Sequence, residues 1–241
     1  MPIWETELPR EQRERLLRAI PLRFSERSYA APPTAAEWAE LSYRAAACER
    51  DGVRIHLCTV PENLFTGLLL GMGKTEGCTT AAVLSVRPGD RSRLAAGYAG
   101  EIFVLEAAAM GIHTCWMTGT FQRRLIDLEL DENDRILGVI ALGHGNTPSA
   151  PTRRRKSMSK LCQSDPAAWD EATRNAAAMV LAAPSALNLQ PWQVDGGNRR
   201  FLLHARNPLE LGIALAHATA ALPELKVWDL AEDMKTAEGE W

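Results

Sequence analysis

The chain has 241 residues, 46% of them hydrophobic, and a formal net charge of −3. That is enough length and apolar content for one or two well-packed domains, and so small a charge gives no argument for binding nucleic acid or a membrane surface. No apolar run approaches the roughly 20 residues that span a bilayer, and the charged stretch 1–18 lacks the apolar core of a secretory leader. The five cysteines, Cys48, Cys58, Cys78, Cys115 and Cys162, are widely spaced and form no C-x-x-C. They suggest reduced thiols and a cytoplasmic protein. Neither they nor the five histidines form a metal-ligand pattern, so no metal is expected.

Pro9 to Ile20 reads as a helix, with Leu16, Leu17 and Ile20 on one face and Pro9 in the first turn. Next comes Arg23-Phe24-Ser25-Glu26-Arg27. In extended backbone, alternate residues point the same way, so Arg23, Ser25 and Arg27 share a side. Two guanidinium forks and a hydroxyl suit a phosphate monoester; a solvated basic strand is the alternative. Thr34 with Glu37 three residues later is a capping box, opening a helix to about Cys48. Val53 to Val60 is a strand candidate, and Pro61 to Gly77 is loop or short helix. Gly71-Met72-Gly73-Lys74-Thr75 has the look of a phosphate-binding P-loop, but Leu68 stands where that motif needs a glycine.

Ala81 to Arg87 reads as a strand, and Arg91 to Met110 as a long apolar helix stopped by Gly111. Ile136 to Leu142 is a buried strand ending near Gly143, followed by His144, for which solvation or a backbone bond is the ordinary fate. Residues 146–165 have linker composition and carry Arg153-Arg154-Arg155-Lys156. This is either a solvated run or a cationic lid over a bound anion. Asp165-Pro166 has the pattern of a cap and a first-turn proline, starting a helix to about Leu181. The stretch Ala182 to Trp192 follows. It is apolar, pinned by Pro184 and Pro191, and carries Ser185, Asn188 and Gln190. A strand at Phe201 to Ala205, a helix from Pro208 to Leu222, a strand at Lys226 to Leu230 and a loose tail complete the chain.

A weak duplication is visible. At an offset of 131 residues, Ala36 to Ala47 overlies Ala167 to Ala178, matching Trp38 with Trp169 and Glu40 with Glu171. Gly97-Tyr98-Ala99 recurs as Gly212-Ile213-Ala214. The chain then divides into an N-terminal half (1–145), a basic linker (146–165) and a C-terminal half (166–241).

Three segments together resemble the FMN-dependent nitroreductase family, in its branch with two nitroreductase-like halves fused in one chain. The family's R-x-S-x-R resembles Arg23 to Arg27. Its A-P-S-x-x-N-x-Q-P-W loop resembles Ala183 to Trp192, the most specific match. Its G-L-G-T-x-W-x-G resembles Gly111 to Gly119, with His113 in place of a glycine. The family's basic K/R-x-R segment resembles the linker arginines. The resemblance implies an α+β fold: two related halves as an internal pseudo-dimer, with mostly antiparallel sheets flanked by helices. In ordinary members the first two motifs come from opposite subunits; splitting them between fused halves would keep one site in a single chain, as a monomer or a homodimer. The resemblance further implies FMN, with NADH or NADPH as donor and ping-pong reduction of a small electron-poor acceptor such as a nitroaromatic or quinone. Arg23, Ser25 and Arg27 would hold the phosphate, with Arg153 or Arg155 closing over it. Pro184, Ser185, Ala186 and Asn188 would line the flavin ring and ribityl chain, while Gln190 orients the loop. Thr118 and Gly119 would lie beside the flavin's N5 and O4. The chemistry would be flavin-centred, with no protein nucleophile, and Cys115 a packed thiol. A flavin-sequestering protein without turnover is the alternative.

Overall fold

The computed structural model describes residues 3–5, 8–68, 72–148, 151 and 154–241. A short strand, β1 (Ile3–Glu5), precedes helix α1 (Arg10–Ala19), which starts after Pro9 and buries Leu16 and Ala19. Strand β2 (Tyr29–Ala31) leads to α2 (Ala35–Cys48). The expected capping box is present: Glu37 N–H donates to Thr34 Oγ1, and Thr34 N–H to the Glu37 carboxylate at 2.8 Å. Strand β3 (Val53–Thr59) is followed by a 3-10 turn at Glu62–Phe65, a hairpin of β4 (Thr66–Leu68) and β5 (Met72–Lys74), and β6 (Thr80–Val86). Met72–Lys74 is a hairpin strand, which disposes of the P-loop look-alike. Helix α3 (Asp90–Ala109) is buried on all sides from Leu94 to Ala107 and ends before Gly111, whose φ of 78° serves the turn into β7 (His113–Met117). Strand β8 (Arg135–Gly145) closes this half.

The remaining elements are α4 (Met158–Leu161), α5 (Glu171–Ala182), β9 (Trp192–Gly197), β10 (Arg200–Ala205), α6 (Pro208–Ala221), β11 (Val227–Leu230) and β12 (Thr236–Glu240). Among the described residues, all pairs of these strands are antiparallel. The first sheet runs β3-β6-β8-β7, with β2 on the end of β8 at His144 and Gly145; the second runs β9-β10-β12-β11-β1. With α2 matched to α5 and α3 to α6, the two sheets have the same strand order, and the duplication seen faintly in sequence is explicit in topology.

The central crossing makes the relation closer. A Cβ on Gly97 would lie 2.1 Å from Leu209 O and 3.0 Å from Ile213 N; one on Gly212 would lie 2.0 Å from Leu94 O and 2.7 Å from Tyr98 N. Each glycine meets the residue three before and the residue one after the other glycine. This is the reciprocity of a twofold contact, with α3 and α6 as its two halves and both sheets' inner faces sharing one core around them.

Four expectations need correction. The 131-residue register does not align the helices, because Asp165 caps only a 3-10 turn at Pro166–Ala168. Asp170 caps α5, through Thr173 N–H at 2.9 Å, and Trp169 lies before the helix. Residues 1–145 do not all stay in the first half. Strand β1 is an edge of the second sheet, with Trp4 opposite Trp228, fully buried against Tyr98. The tail is not loose: β12 lies between β10 and β11. It reads as polar because its inward positions are the small Ala237 and Gly239, and a Cβ on Gly239 would come within 2.7 Å of Leu225. The linker is not free chain at its end, since Leu161 is buried and Cys162 bridges to Val194. His144 keeps the solvent exposure expected of it and also bonds the Glu37 carboxylate at 3.0 Å.

Candidate functional site

The loop after α5 is held in a demanding conformation. Leu187, Asn188 and Gln190 have φ of 51°, 55° and 48°. Residues with a Cβ seldom adopt such angles, and each costs on the order of 1 kcal/mol or more. Hydrogen bonds offset this. Gln190 N–H donates to Ser185 Oγ at 2.8 Å, and the Gln190 amide nitrogen donates to Asn188 O at 3.0 Å. From the linker, Lys156 donates through its N–H to Gln190 Oε1 at 2.8 Å and through Nζ to Gln190 O at 2.7 Å. Arg155 Nη1 donates to Asn188 Oδ1 and Ala183 O, and Asn188 Nδ2 to Arg154 O at 2.9 Å. Gln190 does orient the loop, and Asn188 shares that task.

The Arg23–Arg27 segment is extended, as its spacing predicts: Ser25 bridges to Thr114, and Glu26 N–H donates to Thr114 O at 3.0 Å. The buried Glu26 carboxylate accepts from the N–H groups of Arg27, Ser28 and Thr147. Burial works to raise its pKa, but these donors outweigh burial and hold it below the ordinary value. Ser25 and Arg27 remain exposed, whereas Arg23 is 4% exposed. Its Nη2 donates to Ala182 O at 2.9 Å, and its Nε lies 3.8 Å from Glu101. Arg23 thus reaches across 159 residues of sequence to the root of the loop. Arg155 Nη2 donates to the same carbonyl at 3.0 Å, and burial, then the charge of Arg23, brings Arg155 down to about 10, still cationic at neutral pH.

Two adjoining cavities share Ser25, Arg27, Pro184, Ser185 and Leu187. One, of about 390 Å³, is lined by four arginines, Arg23, Arg27, Arg154 and Arg155, with Asn188 and no Asp or Glu among the described residues. Neither the Arg27 nor the Arg154 guanidinium has a hydrogen bond or ion pair with another described residue. The other, of about 230 Å³, is lined on its apolar side by Trp116, Leu187, Leu209 and Ile213, with Thr118, Ala186 and Cys115 beside them and Arg206, Asn207 and Glu210 on its polar side. Burial pushes the Cys115 thiol up, so it stays protonated. Among the described residues, no group of three or more His, Cys, Asp or Glu is placed to hold a metal.

The structure therefore brings together Arg23, Ser25, Arg27, Thr118, Arg155, Pro184, Ser185, Ala186 and Asn188. Gly119 is exposed next to Thr118 but lines neither cavity. Arg153 lies outside the described residues. Arg154 lines the cavity as well as Arg155, a position that linker composition alone could not distinguish from its neighbours. Arg206, Asn207 and Glu210, at the start of α6, were also not foreseen. Arg206 pairs with the buried Glu210 at 2.8 Å, and Asn207 caps the helix. Asn207-Pro208 is a legible cap signal, but nothing local says that this helix end faces a cavity. Unpartnered guanidinium groups beside a cavity with an apolar side of Trp116, Leu187, Leu209 and Ile213 fit a ligand with an anionic group at one end and an apolar ring at the other. A phosphorylated flavin has that form.

The family described as "Putative TM nitroreductase" matches residues 15–222. No curated protein matches the sequence. Among solved structures, a putative nitroreductase from Thermotoga maritima MSB8 is 19% identical and aligns over 93% of both chains with a TM-score of 0.69. A putative nitroreductase in complex with FMN from Desulfovibrio desulfuricans is 19% identical, covering 67% of this chain and 99% of its own, with a TM-score of 0.49. A nitroreductase with bound FMN from Desulfitobacterium hafniense DCB-2 is 17% identical, covering 58% of this chain and 94% of its own, with a TM-score of 0.46.

Proposed function

The chain belongs to the TM-type nitroreductase family, and from that premise we propose that it is an FMN-dependent NAD(P)H oxidoreductase reducing nitroaromatic, quinone or similar electron-poor acceptors. One observation carries the reading: the Arg23–Arg27 segment and the Pro184–Asn188 loop, remote in sequence, form the walls of the same cavities, joined by the bond from Arg23 to Ala182 O. Bound FMN would supply two-electron hydride chemistry, which the protein binds and shapes. Arg27, Arg154 and Ser25 would hold the phosphate, while Arg23 and Arg155 fix the loop from below. Pro184, Ser185 and Ala186 would border the ring, with Thr118 towards its reactive edge, and Trp116 and Leu187 would keep water from its apolar faces. On this reading the twofold crossing of α3 and α6 is an internal pseudo-dimer, doing in one chain what paired subunits do elsewhere.

The test is an absorption spectrum of the purified protein, FMN titration, and anaerobic addition of NADH or NADPH. One FMN per chain, bleached by at least one donor, is expected. Bound flavin that neither donor bleaches would leave a flavin-sequestering protein. Arg27→Ala should weaken FMN binding by about 2 kcal/mol, since a charge-assisted phosphate bond is lost. Unchanged affinity would remove Arg27 from the site.

A further inference from the structure

Behind the two cavities lies a buried ionic network that the proposed chemistry does not use directly. Glu101 of α3 is fully buried. Trp116 Nε1 donates to its Oε2 at 2.9 Å, and His217 Nε2 of α6 bonds its Oε1 at 2.9 Å. Arg23 Nε, which has no hydrogen-bond partner, stands 3.8 Å from Oε1. Indole is a donor only, so Oε2 must accept; burial pushes His217 down and keeps it neutral, so it donates when the carboxylate is charged.

The twofold crossing shows that packing does not require this network. Four residues beyond Gly97 stands Glu101, and four beyond Gly212 stands Ala216; five beyond, the pair is Ile102 and His217. All four side chains are buried. One side of the crossing is therefore filled by Ala216 and Ile102, and the related side by Glu101 and His217. A buried carboxylate is costly unless well paired, and it stands only on the side where Arg23, Trp116 and the cavities lie. There it stands 3.8 Å from Arg23, whose guanidinium converges with that of Arg155 on Ala182 O at 2.9 and 3.0 Å.

We propose that Glu101 is a positioning residue of the flavin site, fixing the Trp116 indole in the cavity wall and balancing one of the two guanidinium charges beneath the loop. By that balance it sets how strongly the site favours the reduced, more negative flavin. The inference rests on the FMN reading above. Charges act strongly in such a buried setting because water screens them little.

The experiment measures FMN affinity and the midpoint potential of bound FMN, by equilibration with reference dyes at fixed pH, in wild type, Glu101→Gln and Arg23→Gln. Glutamine has the shape of glutamate and can accept from Trp116 while donating to His217. E101Q should keep FMN and show a more positive potential, because a nearby negative charge is gone. R23Q should bind FMN at least tenfold more weakly and show a more negative potential. A purely packing role predicts a lower melting temperature for E101Q with the potential of its bound FMN unchanged, and that result overturns the proposal. If E101Q does not fold, R23Q decides, and an unshifted potential there overturns it equally. Wild-type protein that binds no FMN overturns the FMN reading and this inference together, whereas flavin-loaded variants with wild-type potentials overturn the inference alone.

Discussion

The Gln190 amide serves two segments at once: its oxygen accepts from Lys156 N–H, and its nitrogen donates to Asn188 O within the loop. With its backbone carbonyl on Lys156 Nζ, this 4% exposed residue joins the linker to a loop that holds three left-handed residues. Gln190→Ala leaves the part-buried Lys156 N–H without its acceptor and should lower stability by about 1 kcal/mol, read from urea unfolding, with faster FMN release. A variant as stable as wild type would show that the linker needs no such clamp. Much at this scale was legible beforehand. The alternation of Arg23, Ser25 and Arg27 is a local, period-two property, and so is the rigidity that two prolines give the loop. The burial of Arg23 was not, because its partners Glu101 and Ala182 O are supplied by distant elements.

Helices α3 and α6 are buried through most of their length, and each carries one glycine at the point of contact. Backbone, not a mobile side chain, occupies the space a Cβ would need: Leu209 O opposite Gly97 and Leu94 O opposite Gly212. Gly97→Ala or Gly212→Ala forces the helices apart and should cost about 3 kcal/mol. The two losses should be similar if the crossing is twofold, as denaturant midpoints with unchanged slopes would show. A stability change confined to one of the two glycines would contradict the symmetry. The recurring Gly-x-Ala signalled this pair in the sequence. The 131-residue register misled because an ungapped match of alanine-rich helices rewards composition, and the extra 3-10 turn at Pro166–Ala168 displaces α5 from it. Strand β12 was missed for the opposite reason: its core-facing residues are too small to give an apolar alternation.

Across the whole molecule, one carboxylate joins three N-terminal helices. Glu106 of α3 accepts from Gln12 at 3.0 Å and from Arg15 Nε at 2.7 Å, both on α1, and pairs with Arg44 of α2. Burial works to raise its pKa, but Arg15, Gln12 and Arg44 outweigh burial and hold it below its ordinary value of 4.5. A carboxyl lower in the folded state than in the unfolded one contributes stability that is complete above the unfolded value and lost as pH falls through the folded one. Glu26 and Asp170 are shifted in the same sense, so a steep acid limb below about pH 4.5 is expected. His217 acts in a different window. Burial pushes it below 6.5, so the unfolded chain takes up its proton first and stability declines as pH falls below about 6.5. Urea unfolding across a pH series separates the two. Glu106→Gln should lose about 2 kcal/mol at pH 7, less than a fully buried pair because Arg15 keeps solvent contact, and its acid limb should be shallower. His217→Gln keeps a donor for Glu101 but cannot titrate, so it should flatten the curve between about pH 6.5 and 4.5 and leave the acid limb in place. If both variants gave curves parallel to wild type, neither group would link protons to folding, and the burial of His217 and the three-helix clamp on Glu106 would not govern the pH dependence.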